Sequence, residues 1–289
     1  LHKTEYKSVM AEATIATSIT AKPWRQRASA QLRYYLPTIL IAVSVLVIWE
    51  LAVRLFNIQQ FLLPRPSAIL EELMGELRQG NESILVEATF ATLYAAVGGF
   101  ALGCGSGILV ALVTARWTVV SQAMMPFAIA ANSVPIIAFA PITNNWFGLT
   151  NPASKMAIVA IIVFFPTMIN TVRGLTMVAP SQLELMQSYA ASPWKILRAL
   201  RIPNALPYIF SALRVASALS TIGAVVAEFF GGPRATLGVY ITQEAAGFNF
   251  ARAWTGIIMA SLIGIFFYTV VLLVERWVMP WHVSFREAA

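Results

Sequence analysis

Charged residues are scarce in this chain, and their scarcity excludes most soluble folds. Only 11% of the 289 residues are Asp, Glu, Lys or Arg, whereas 58% are apolar and the mean hydropathy is +0.71. Soluble domains are nearer one quarter charged and one half apolar. The composition therefore predicts an all-α, polytopic membrane protein whose outer surface contacts membrane lipid.

Side chains that usually carry out chemistry are also rare. Cys104 is the only cysteine and lies in an apolar run, which excludes a disulfide within the chain and argues against thiol catalysis. His2 and His282 lie far from any cluster of metal ligands, and no Gly-x4-Gly-Lys-Ser/Thr phosphate loop occurs. We therefore expect no cofactor, no metal and no enzyme activity in this chain.

Six apolar stretches predict transmembrane helices, because each approaches the length that crosses a bilayer. Polar residues 1–35 and 278–289 are predicted as tails, and residues 36–277 as one transmembrane domain. In the second span, Gly99, Gly103 and Gly107 recur at intervals of four, which predicts close packing against another helix. The predicted spans are residues 36–53, 88–115, 124–147, 156–172, 208–230 and 253–274.

The positive charges are unevenly distributed between the two sides of these spans. If the N-terminal tail is inside, fourteen of the twenty Lys and Arg residues lie on the inner side and six on the outer side. The positive-inside rule then predicts that both tails and the loop at residues 179–207 are cytoplasmic. This asymmetry accounts for the net charge of +7 without a nucleic-acid partner.

The loop at residues 179–207 predicts a helix, a turn and a second helix. Ser181 is a candidate N-cap, and Glu184 stands at the partner position of a capping box. The first helix is expected to end at Tyr189 and Ala190. Taken alone, this pattern is also compatible with a solvated loop that has no further role.

The second helix of the loop has a basic and an apolar side. Ser192 is a candidate N-cap, Pro193 suits the first helical position, and Pro203 is expected to end the helix. Apolar residues at spacings of three predict a shared face, with basic residues beside it. The apolar residues are Trp194, Leu197 and Leu200, and the basic residues are Lys195 and Arg198.

The third span is interrupted by Pro126, Pro135 and Pro141. Broken helices and amides are tolerated at membrane depth when they face a cavity. The span therefore predicts part of a translocation pathway, although a kinked helix with only a structural role is the alternative. The candidate pathway residues in and near it are Asn132, Ser133, Asn144 and Asn145.

Glu228 is a further pathway candidate because it ends the apolar fifth span just before Gly231 and Gly232. A gating acid and a snorkelling or capping acid both fit this position. Glu50, in the first span, fits either the interface or a pair inside the bundle. An ion-coupled secondary transporter usually needs more ionisable residues within its spans than this chain has, so that it is the less favoured function.

Residues 179–207 resemble the EAA loop of the permeases of binding-protein-dependent ABC importers. The family pattern places a glycine six positions after an acid and ends in apolar-x-Leu-Pro; here the acid is Glu184, Ala190 replaces the glycine, and Pro203 closes the pattern. Two further runs, PIIAFAPITNNWFG at 135–148 and FFPTMINTVRGL at 164–175, are similar to stretches of nitrate, sulfonate, taurine and pyrimidine-precursor importers.

The resemblance implies a type I ABC importer permease in a bacterial inner membrane. Its implied partners are a second permease copy, two cytoplasmic ABC ATPase subunits that bind ATP and Mg, and an extracytoplasmic solute-binding protein. The implied substrate is a small polar solute, either a pyrimidine- or riboflavin-type precursor or a small anion such as nitrate, sulfonate or taurine. The implied ATPase-coupling residues are Glu184, Ala190, Ser192, Trp194, Lys195, Leu197, Arg198 and Pro203.

Overall fold

The computed structural model describes residues 24–115 and 117–280, in which every regular element is a helix. This confirms the predicted all-α class. Short 3-10 helices cover Gly80–Glu82 and Ile136–Phe139, and a π-helical turn covers Leu197–Arg201. The α-helices are α1 (Trp24–Leu55), α2 (Pro66–Gln79), α3 (Ile84–Thr114), α4 (Thr118–Asn132), α5 (Ala140–Phe147), α6 (Pro152–Thr176), α7 (Pro180–Ser188), α8 (Pro193–Ile196), α9 (Ile202–Phe229), α10 (Leu237–Ala246) and α11 (Phe250–Val278).

Five helices in the described residues are long and apolar enough to cross a membrane. A sixth span forms if Pro126–Asn132 and Ile136–Phe147 are counted together, and these two segments are bent by 70°. The predicted number of about six spans is therefore confirmed, and the proline-rich third span is the broken one. The other spans are Leu36–Leu55, Ile84–Thr114, Pro152–Thr176, Pro193–Phe229 and Phe250–Val278.

The chain divides into two compact units, and the division along the sequence falls between Ile58 and Gln59. The first unit contains α1, which begins at Trp24, so that residues 24–35 of the predicted tail are helical. Within α1, Arg54 Nη2 lies 2.6 Å from Glu50 Oε1, which gives Glu50 an ion pair one turn away on its own helix. Residues 1–23 of the predicted N-terminal tail and residues 281–289 of the predicted C-terminal tail lie outside the described residues.

In the second unit, α3 packs closely along α6. The predicted strip of glycines makes this approach possible. A methyl group on Gly103 would lie 2.3 Å from the carbonyl oxygen of Ala160, and one on Gly99 would lie 2.5 Å from Val159 Cβ. In lipid, helices associate through such close contacts rather than through exclusion of water. The small residues of α3 therefore position α6 at the centre of the bundle.

The other side of α6 packs against α9, and α9 in turn packs against α11. Arg214 on α9 and Glu275 on α11 form an ion pair, with 3.2 Å between Arg214 Nε and Glu275 Oε2. Glu275 is buried, so that removing Arg214 would leave a charge without its partner inside the bundle. Arg214, which was counted with the inner-side charges near the beginning of the fifth predicted span, therefore joins two spans.

Candidate coupling and translocation sites

The first helix of the loop, α7, begins differently from the prediction. Its N-cap is Ala179, and Pro180 occupies the first helical position with no side-chain cap. The predicted capping box is therefore wrong, because Pro180 already starts the helix before Ser181. Glu184 is exposed on α7 and has no hydrogen-bond or ion-pair partner among the described residues.

The turn after α7 explains why the family pattern places a glycine there. The helix ends at Ser188 with Tyr189 as its C-cap, in agreement with the predicted end at Tyr189 and Ala190, and Ala190 has a φ of +50°. The Ala191 N–H then donates to the Met186 carbonyl oxygen at 3.0 Å, which closes the turn. A left-handed backbone is strained for any residue with a Cβ, so that glycine is preferred at position 190.

The second helix of the loop begins as predicted but does not end where predicted. Ser192 is the N-cap, and its Oγ accepts a hydrogen bond of 3.3 Å from the Lys195 N–H. The predicted stop at Pro203 is wrong, since α8 continues through the π-helical turn into α9. The Ile202 N–H donates to the Leu197 carbonyl oxygen, five residues back, instead of the four residues of an α-helix. Pro203 therefore stands in the first turn of α9, where its missing N–H is tolerated.

The predicted apolar face of this helix is divided between two environments. Trp194 is 68% exposed, whereas Leu197 packs against the apolar cluster formed by α3, α6 and α9. Lys195 and Arg198 are exposed beside Trp194. A groove of about 650 Å³ lies between the end of α3 and the loop, with Trp117 and Trp194 among its lining residues.

Two side chains that were not predicted as site residues anchor this loop to the bundle. Arg201 Nη1 donates to the Ala115 carbonyl oxygen at 3.0 Å. Asn204 Nδ2 donates to the carbonyl oxygens of Gly174 and Met177, at 2.9 and 3.0 Å. These bonds join the loop to the C-terminal ends of α3 and α6, where helical carbonyls lack partners in their own helices.

The broken third span places the predicted pathway residues in two groups. Asn132 and Ser133 lie at the bend, and Asn145 lies on α5; all three are exposed in a single copy of the chain. The Ser133 hydroxyl donates to the Ile129 carbonyl oxygen at 3.2 Å. Asn144 is buried instead, because it belongs to a polar cluster at the other end of α5.

This polar cluster joins four parts of the bundle. Asn144 Nδ2 donates to the Phe230 carbonyl oxygen at 3.3 Å, and Asn144 Oδ1 accepts a bond of 2.8 Å from Lys155 Nζ. Lys155 Nζ also donates to the Leu149 carbonyl oxygen at 2.8 Å. Lys155 lies between the predicted third and fourth spans in the sequence, yet it is only 3% exposed.

Glu228 lies in the same region and holds the start of α10. Its Oε2 accepts bonds from the Gly238 N–H at 2.8 Å and from the Thr92 hydroxyl at 3.0 Å, and Thr92 Oγ1 in turn accepts from the Leu237 N–H at 2.9 Å. Glu228 is 1% exposed, so that the snorkelling interpretation is wrong. It caps another helix, and a carboxylate is favourable there because the N-terminal end of a helix is positive.

The segment between the fifth and sixth predicted spans contains a further helix, α10, which was not predicted. Gly238 lies where α10 approaches α9 closely, because a methyl group there would be 2.4 Å from the Val225 carbonyl oxygen. Burial raises the pKa of the Tyr240 hydroxyl to about 12. Thr92, Lys155 and Gly238 were not predicted as site residues. Thr92 lies 136 residues from Glu228, whereas Lys155 and Gly238 lie only 11 and 10 residues from Asn144 and Glu228.

Comparisons with known proteins agree with this architecture. Residues 103–281 match the family described as binding-protein-dependent transport system inner membrane component. The chain is similar to the riboflavin transport system permease protein RibX of Chloroflexus aurantiacus, with 32% identity over 83% of this chain and 88% of the relative.

Two further relatives differ in the solutes that their names specify. The formylaminopyrimidine transport permease protein ThiX of Halalkalibacterium halodurans is 31% identical over 84% of this chain and 94% of its own length. The taurine transport system permease protein TauC of Escherichia coli is 24% identical over 90% of this chain and 93% of its own length. The chain therefore belongs to the inner-membrane permease family of binding-protein-dependent ABC importers.

Proposed function

We propose that this permease is the transmembrane subunit of an ATP-driven importer and that residues 179–207 couple it to an ATPase. The observation that supports this proposal most is the continuity of Pro193–Phe229, in which the exposed loop helix and the membrane span form one element. A displacement at Trp194 would therefore pass directly into the span. No flexible connection would absorb it.

The proposed assembly contains two permease copies, two ATPase subunits that bind ATP and Mg, and an extracytoplasmic binding protein in a bacterial inner membrane. The loop and the N-terminal tail would be cytoplasmic. The exposed ring of Trp194 supplies an apolar anchor, and Lys195 and Arg198 supply a basic rim. Interfaces of this kind usually depend on a few large aromatic and arginine side chains.

The proposed pathway lies between paired copies of the third, fourth and fifth spans. Asn132, Ser133 and Asn145 would offer donors and acceptors to a polar solute, because they are exposed on the broken span. Asn144 and Glu228 would act on the pathway indirectly, since their side chains are bonded within the polar cluster.

The proposed substrate is a nitrogen heterocycle of the riboflavin or pyrimidine-precursor type. Support comes from two relatives at 31–32% identity that are named for riboflavin and formylaminopyrimidine, and from the motif at residues 164–175. A small anion such as taurine is the alternative. Stimulation of ATPase activity by binding protein loaded with each solute in turn distinguishes them, and stimulation by the taurine-loaded form alone would refute the heterocycle.

The coupling role is tested by Trp194→Ala, with Trp277→Ala on α11 as the control for loss of another exposed tryptophan. We expect Trp194→Ala to weaken ATPase attachment and abolish uptake while the permease still inserts, and Trp277→Ala to retain both. Loss of insertion would mean that Trp194 is a membrane-interface anchor. Normal ATPase binding with normal uptake would refute the coupling role.

A further inference from the structure

Lys155 occupies a position that is unfavourable for a cation. It lies in the first turn of α6, where the helix dipole is positive, and its side chain is buried. Its two acceptors, Asn144 Oδ1 and the Leu149 carbonyl oxygen, are both neutral. An ammonium group carries three N–H donors, so that one donor of Lys155 remains for a further acceptor.

Glu228 presents the complementary deficiency. Its Oε2 accepts two hydrogen bonds, whereas its buried Oε1 has no hydrogen-bond partner among the described residues. A buried acceptor without a partner is costly, and more so when it belongs to a carboxylate. Lys155 is near enough to interact electrostatically with Glu228, but no direct ion pair joins them in the described part of the chain.

The two side chains border one cavity of about 370 Å³, which also has Phe90 and Tyr94 in its wall. The lysine side chain is flexible and its ammonium is compact. The cavity therefore gives Lys155 Nζ room to leave its present acceptors and approach Glu228.

We propose that Lys155 is a positioning residue that exchanges acceptors during the transport cycle, from Asn144 and Leu149 in the present state to Glu228 Oε1 in another. This exchange rests on the proposed transport function. In the present state, Glu228 Oε1 has no hydrogen-bond partner among the described residues. In the other state, Glu228 Oε1 accepts from Lys155, and Asn144 Oδ1 and the Leu149 carbonyl oxygen lose their bonds to Lys155. Such an arrangement gives a packed bundle two discrete positions.

The exchange would act on the broken span. In the present state, Lys155 ties α5 to α6 through Asn144. Once that bond is lost, the Asn144 side chain keeps, among the described residues, its 3.3 Å bond to the Phe230 carbonyl oxygen. Gly148, between α5 and α6, has a φ of +94°, a conformation that favours a glycine hinge. Movement of Lys155 would thus free α5 to rotate about Gly148.

The test uses the complete importer, with ATPase and binding protein, and a Cys104→Ser background that carries Ile142→Cys, one turn before Asn145 on the exposed side of α5. The labelling rate with a small polar thiol reagent is measured without nucleotide and after trapping with ATP and vanadate. Glu228→Gln keeps an acceptor for Thr92 and Gly238 but replaces Oε1 with an amide group that cannot accept Lys155. Glu87→Gln, an exposed acid at the same cavity, is the matched control.

We expect the background and Glu87→Gln to show a severalfold difference in labelling between the two states. Glu228→Gln should lose that difference while retaining assembly and the nucleotide-free rate. Lys155→Gln should lose it too, and the double variant should be no worse than either single variant, because residues in one network do not act additively. If Lys155→Gln fails to assemble, the labelling difference of Glu228→Gln alone tests the exchange.

Two results would overturn the exchange. If the Glu228→Gln importer keeps the labelling difference, Glu228 is only a structural cap of α10. A lower unfolding temperature of that variant, with the labelling difference unchanged, would be the clearest form of this result. A background importer that takes up solute with ATP but shows no labelling difference would also overturn it. Absence of ATP-dependent uptake by the importer without any substitution would instead overturn the proposed function, and with it the exchange.

Discussion

Arg201, in the π-helical turn, donates a hydrogen bond of 3.0 Å to the carbonyl oxygen of Ala115, the C-cap of α3. The turn therefore supplies a positive charge to the negative end of a neighbouring helix. The same turn carries the loop helix into α9 without a break. One residue thus fixes the angle at which the exposed loop meets two spans.

Replacement of Arg201 by glutamine should destabilise the loop and impair uptake. We expect a loss of about 1–2 kcal/mol in the free energy of unfolding, since a charged hydrogen bond to a helix end is removed. Thermal unfolding in detergent and ATP-driven uptake provide the measurements. Arg173→Gln, which removes an exposed arginine from the last turn of α6, should have little effect. Equal effects of the two variants would contradict a specific role for Arg201.

Replacement of Ala190 by glycine should stabilise the turn between α7 and α8. The φ of +50° strains alanine but not glycine, and the net gain in unfolding free energy should be about 0.5–1 kcal/mol. Ala191→Gly, one residue later and without a positive φ, should be neutral or destabilising. A lower unfolding temperature for Ala190→Gly would show that the turn has a different conformation in the assembled protein.

Replacement of Gly103 by alanine should separate α3 from α6. A methyl group there would lie 2.3 Å from the Ala160 carbonyl oxygen, and we expect a loss of roughly 2–3 kcal/mol from overpacking. Gly105→Ala is the matched control on the same helix, because no atom lies within 4 Å of its added methyl group. The yield of folded protein in detergent measures both variants. Similar yields would contradict the packing of α3 on α6.

Local features of the loop were predictable because neighbouring residues determine them. Ser192 and Pro193 form a cap and a first helical position within two residues, and both were confirmed. Pro203 was misinterpreted, since the rule that proline ends a helix assumes α-helical hydrogen bonds. The π-helical turn changes that bonding one residue earlier. Composition and apolar periodicity give no signal for a π-helical turn.

The polar cluster was not predictable because its members are brought together only by folding. Thr92 and Glu228 are 136 residues apart, and each resembles an ordinary residue in its own span. Lys155 has the sequence context of a loop charge, and only the bend of the third span brings Asn144 to it. In contrast, the number of spans and the glycine strip were predictable, since each depends on one continuous stretch.

We propose that nucleotide hydrolysis on a partner drives solute through this permease. The decisive experiment is uptake of radiolabelled riboflavin into proteoliposomes that contain the permease and its ATPase, with loaded binding protein outside. We expect uptake when ATP and Mg are enclosed and every ion gradient is collapsed, and none when a non-hydrolysable analogue replaces ATP. Solute uptake driven by a proton or sodium gradient without ATP would contradict it and identify an ion-coupled transporter.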